Sequence, residues 1–215
     1  MASLGLTLGI ALLYATLSLS ARTGGVLVAH ADVRAFALHE QPSVGLCPWR
    51  EENRDRRQFF PTATDVRDET LILSGKRLEV ARRLGRASTA EENALKVYRI
   101  LRHDKVLGSV VARRVRGESG VIELLLAVGA NGDVLGARLQ RLREPKQVAQ
   151  ALHSTQWLGA FVGKNSASAW RIGTDIPDVP PAARSSATAI LEAAHAMLVL
   201  LSVADSAPAS GATPR

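Results

Sequence analysis

The chain has 215 residues, 47% of them hydrophobic and 22% charged, and carries a formal net charge of +7. That length suits one core domain with appendages, able to bury about two thirds of its unfolded-chain surface without covalent staples. The single cysteine, Cys47, excludes an internal disulfide and offers no ligand cluster for a metal.

The positive charge comes from 22 arginines against 5 lysines, grouped at Arg54/Arg56/Arg57, Arg82/Arg83/Arg86, Arg113/Arg114/Arg116 and Arg138/Arg141/Arg143. Glu51, Glu52, Asp55, Asp65, Asp68 and Glu69 are interleaved with them, and aromatic residues make up only 4%. With so few stacking platforms, the arginines read as solvated faces and no nucleic-acid partner is expected.

Residues 2–21 hold no charge, and twenty helical residues just span a hydrocarbon layer. Five Ser/Thr positions dilute the run, and Ala29-His30-Ala31 offers a small-x-small cleavage site. Residues 1–31 therefore read as a signal peptide or a membrane anchor, with a buried core helix as the third option. Either of the first two puts the remainder on the outer, periplasmic face of a cytoplasmic membrane or exports it. Residues 32–95 read as a connector broken by Pro42, Gly45 and Pro48, with Phe59-Phe60-Pro61 docking it on the core. Within it lie a short strand over 70–73 and a helix that Ser74 caps, Leu78, Ala81 and Leu84 stripe, and Gly85 ends. A polar linker follows over 86–93.

Two hairpins come next. Residues 96–101 and 106–115 are β-rich and joined by His103-Asp104-Lys105, and the run 121–128 turns at Asn131-Gly132 into an alternating second half. We take this second hairpin as the centre of the fold. Short helices over 147–153 and 155–161 carry Leu152, Trp157, Leu158 and Phe161, and 170–181 is irregular and proline-rich. Ser185 or Ser186 caps a last helix on which Ile190, Leu191, Ala194, Met197, Leu198 and Leu201 form one apolar stripe. The expected fold is α+β: an antiparallel sheet of about four strands covered by helices, with an N-terminal apolar helix, the main domain spanning 96–202 and a disordered tail from 203 onward.

No glycine-rich phosphate loop, histidine pair at metal spacing or nucleophile elbow occurs, and the five histidines are scattered. Four segments nevertheless share a pattern. They are Phe60-Pro61; the hairpin of 121–128, Asn131-Gly132 and Arg143-Glu144; Trp157-Leu158 with Phe161-Val162-Gly163-Lys164; and Asp175-Ile176 followed by Val179 to Ser186 and the long helix. Together they resemble the FMN-binding domain family, the module of flavin-carrying subunits of membrane NADH oxidoreductases and of smaller exported flavoproteins. The resemblance implies FMN as cofactor, a membrane setting, redox protein partners and electron transport rather than substrate turnover.

It also implies where the cofactor sits. The family's S-G-A-T segment esterifies FMN phosphate to its threonine, and here Pro181 stands at the glycine and Ala183 at the threonine. A methyl group cannot carry a phosphoester, so FMN would be held without a covalent bond. The implied cofactor-binding residues are Glu144, Ala182, Ala183, Arg184, Ser185 and Ser186, with anion-binding N–H groups at the helix start. The alternative is a cofactor-free structural or interaction subunit that keeps the sheet and the helix.

Overall fold

The computed structural model describes residues 47–206. The apolar helix and cleavage site expected over 1–31, most of the early connector and the end of the tail lie outside the described residues. The described part is α+β, built on one five-stranded antiparallel sheet.

In chain order come α1 (Glu52–Phe59), β1 (Asp65–Ile72), α2 (Arg77–Leu84), β2 (Ala94–Arg102), β3 (Lys105–Arg116), β4 (Val121–Gly129), β5 (Val134–Leu142), α3 (Lys146–Leu152), α4 (Thr155–Gly159) and α5 (Arg184–Asp205). The strands form a meander, each pairing only with its sequence neighbours. The hairpin expected at the centre is therefore β4–β5, with β5 at an edge, while β3 and β4 lie deeper in the sheet. The short strand expected over 70–73 is a full edge strand, paired from Asp65↔Leu101 to Ile72↔Ala94. Its alternation of charged and apolar residues hid that length, since only one of its faces is covered.

Between β4 and β5 the positive φ is taken by Gly132 alone, at 87°, with Asn131 Nδ2 donating to Asp133 across the loop at 2.7 Å. The far edge of β5 is closed at its start by the segment after α4. Val134 N–H donates to Lys164 O and Gly163 N–H to Val134 O, both at 2.8 Å. Gly163 bends into this bridge with φ +79°.

One face of the sheet packs on α5. Val97, Val111, Leu124, Leu126 and Val128 meet the whole expected stripe of Ile190, Leu191, Ala194, Met197, Leu198 and Leu201. Ala187, Val199, Leu200 and Val203 are buried as well, because α2 covers a second side of the helix. Together with the 3-10 turn before it, this helix is long and apolar enough to cross a membrane by length and composition, but here its side chains form the core. In α2 the inward residue is Val80, and Leu78 is 90% exposed. The stripe is thus 80, 81 and 84. Ser74 opens a 3-10 turn and makes no cap bond.

The opposite face is covered by residues 47–63. Trp49 and Phe60 pack on Ile100, Val110, Leu125 and Ala127. Glycines make room: a Cβ on Gly108 would lie 2.8 Å from the Phe60 ring, and one on Gly136 2.2 Å from that of Phe59. Two buried carboxylates lock this cover down. Asp55 accepts from Trp49 Nε1 at 2.8 Å and pairs with Arg138. Glu123, in the middle of the apolar run of β4, takes a two-pronged bond from the Arg50 guanidinium and lies 3.5 Å from Arg114. Cys47 is buried beside this pair, and burial, helped by the Glu123 charge, pushes its thiol up to about 12, so it stays protonated at neutral pH.

The Arg50 bond holds the Glu123 carboxyl below its ordinary value of 4.5, against the opposing effect of burial. A depressed native carboxyl contributes stability above that value, and the contribution is lost as the pH falls through the native one. Urea midpoints measured from neutral pH downward should therefore fall below pH 4.5. In Glu123→Gln the neutral-pH midpoint should be lower and this part of the acid dependence flattened.

Candidate functional site

Three pieces of chain meet at the head of α5. Pro180 holds an extended backbone (φ −52°, ψ 147°), and Pro181–Ala183 form one 3-10 turn leading into Arg184. Opposite lie the turn at 117–120, joining β3 to β4, and Glu144, just past the end of β5. The dipole of this 22-residue helix favours negative charge near its head, although the Arg184 and Ala183 N–H groups are already bonded to Pro181 O and Pro180 O.

The carboxylate that occupies this region is the protein's own. Glu144 Oε1 accepts from Ser186 Oγ at 2.7 Å, and Ser119 N–H approaches the two Glu144 oxygens at 3.2 and 3.4 Å. Ser186 is fully buried, and its oxygen accepts the Glu118 N–H at 2.9 Å. Its donor and acceptor are both engaged. Gly117 makes the approach possible, because a Cβ there would stand 2.0 Å from Glu144 Oε1. Glu144 and Ser186, two of the residues singled out in the sequence, are thus brought into direct contact across 42 positions.

The other four are arranged differently. Ala183 is fully buried and belongs to the core that α5 shares with the sheet, so its methyl points away from solvent. Ala182 is exposed and lines an open groove of about 420 Å³ with Glu118, Ser119, Glu144 and Lys146. Arg184 is exposed and turned to Asp178, 2.6 Å away. Ser185 is exposed. Neither serine is the N-cap expected from sequence. The cap is Ala183, without a side-chain bond, and both serines lie inside the first turn. Thr188 bonds back to the Arg184 carbonyl at 2.9 Å and faces a separate hollow of about 330 Å³ with Trp170 and His195.

Trp157 and Phe161 are buried with their rings edge to face at 5.1 Å, and Trp170 joins them at 5.3 Å from Phe161. Lys164 Nζ donates to Ala169 O at 2.9 Å and lies over the Trp170 ring. These aromatic groups act as a clasp on the edge of β5. Asp175 closes a turn by accepting from Arg171 N and Nε, and Ile176 is buried.

Covalent FMN does not fit this site. Residue 183 lacks a hydroxyl and faces the core, and the one buried hydroxyl nearby is saturated. A free phosphate at the helix head would meet the Glu144 carboxylate, while Arg184 already has an anionic partner. Sequence reasoning missed Glu118 and Ser119, whose backbone N–H groups complete the contact. They sit in a Gly-x-x-Gly turn, and an open turn of that kind leaves backbone donors free to be claimed. No family model matches the chain, and no curated protein matches it.

Replacing Ala183 by Thr should lower stability by about 1–3 kcal/mol through overpacking. Ala182→Thr, on the exposed side of the same turn, should stay within about 0.5 kcal/mol of the wild type. Urea unfolding of the two variants checks both values.

Proposed function

We propose that the chain is a membrane-associated structural or interaction subunit built on the plan that its resemblance to the FMN-binding domain family implies, with the cofactor end closed by its own side chains. The observation that carries this reading is the Glu144–Ser186 contact at the head of α5, completed by Glu118 and Ser119 N–H groups. It puts a carboxylate at the head of α5, where the phosphate of an anionic cofactor would have to lie. The uncharged segment 2–21 supports a membrane setting, either as an anchor or as an export signal.

A second reading, FMN held without a covalent bond for electron transfer, is favoured by the open groove of about 420 Å³ next to this contact, with Lys146 on its lining. Flavin would then supply the redox chemistry, and Lys146 and Ser119 would bind and orient it.

One experiment separates them. The full chain is purified in detergent, incubated with FMN, desalted, and its visible absorption recorded before and after denaturation. The first reading predicts no flavin absorbance with the protein. Flavin that co-elutes and is released on denaturation supports the second. Flavin that stays attached after denaturation contradicts the site geometry described for Ala183.

A further inference from the structure

The end of the sheet that carries the 117–120 turn is also its most basic end. A groove of about 510 Å³ runs along it, lined by Arg114, Arg116, Arg141 and Arg143, with Glu118 and Val121 on the same wall. Arg114 shares the buried Glu123 with Arg50, leaving two guanidinium groups for one carboxylate. Arg116, Arg141 and Arg143 are exposed and have no ion-pair partner among the described residues. Four lining arginines thus face two lining glutamates, Glu118 and Glu123, and the excess is held on strand ends. Antiparallel pairing sets Arg116 against Val121 and Glu123 against Arg141, and Arg143 N–H donates to Val121 O at 3.3 Å.

We propose that this groove docks on the phosphate headgroups of an anionic bilayer surface, an inference that rests on the membrane setting proposed above. Two observations choose lipid over other anions. Cys47, the first described residue, is buried within reach of the charges of Arg50, Arg114 and Glu123, so residue 47 lies at this same end of the sheet. The groove also mixes guanidinium groups with the half-exposed Val121 and has no aromatic residue on its lining. That suits a headgroup boundary better than nucleobases, which need stacking partners. Each arginine near such a surface adds attraction that salt screens.

The test reconstitutes the full chain into vesicles of phosphatidylcholine alone or of equal parts phosphatidylcholine and phosphatidylglycerol, and follows amide hydrogen exchange. With phosphatidylglycerol, residues 116–121 and 141–145 should exchange on the order of tenfold more slowly. The protection should vanish at about 1 M salt, where the screening length is about 3 Å. It should also vanish in the Arg116→Gln/Arg141→Gln/Arg143→Gln variant, whose urea midpoint should match the wild type because these side chains are exposed. Equal exchange in both vesicles overturns the inference. So does equal protection by inorganic phosphate in phosphatidylcholine vesicles, or protection by a short RNA duplex and not by phosphatidylglycerol. A chain that incorporates into neither vesicle contradicts the membrane setting itself, whereas one that incorporates into both without lipid-dependent protection contradicts only the docking groove.

Discussion

The contact on which the rest of the account turns is the one between Glu144 and Ser186. It ties the exit of β5 to the first turn of α5, and through the Glu118 and Ser119 N–H groups it ties both to the β3–β4 turn. A buried hydroxyl that donates to a carboxylate and accepts from a backbone N–H leaves no polar group of its own unsatisfied. Removing the carboxylate would strand the hydroxyl's proton, and removing the hydroxyl would strand the Glu118 N–H and leave Glu144 with the Ser119 N–H alone. The geometry is therefore self-supporting, and it leaves the head of α5 with an anion already in place.

The two faces of the sheet are held by different means. On the α5 side the cohesion is apolar, from a helix buried around most of its circumference. On the other side a short cover of residues 47–63 has only a small apolar cluster, and two buried carboxylates, Asp55 and Glu123, give it its register through Trp49, Arg138 and Arg50. Breaking such a pair is costly because the remaining charge stays buried. Burial and the negative charge of Glu123 likewise raise the Cys47 thiol, which stays protonated at neutral pH. The same arrangement draws Arg50 and Arg114 to one end of the sheet, where other arginines lack acidic partners.

Much of this frame was legible in the residues. The stripe of α5, the β4–β5 hairpin and the Phe59-Phe60 dock follow from periodicity and turn chemistry, and the helices after β5 differ from expectation only at their ends. The cover of the second face was not legible. Its helix, α1, has the sequence ENRDRRQF, polar on every side, and nothing local marks Asp55 as the residue that is buried. Glu123 did give a signal, since a charged residue within an apolar strand must find a partner. That the partner is Arg50, 73 positions earlier, is a tertiary fact. At the candidate site the hydroxyls near 185 were visible, but their roles depended on where α5 starts. Starting at Arg184 makes Ser186 the third residue of the helix, which turns an expected cap into a buried cross-link.

The central claim is that the head of α5 is stitched to Glu144, and a double-mutant cycle reads that contact directly. Glu144→Ala, Ser186→Ala and the double variant are compared with the wild type by urea unfolding at neutral pH. A coupling free energy of about 1–3 kcal/mol is expected between the two positions, as for side chains in one hydrogen-bonded network. Additive effects within about 0.3 kcal/mol, the behaviour of independent sites, would contradict it.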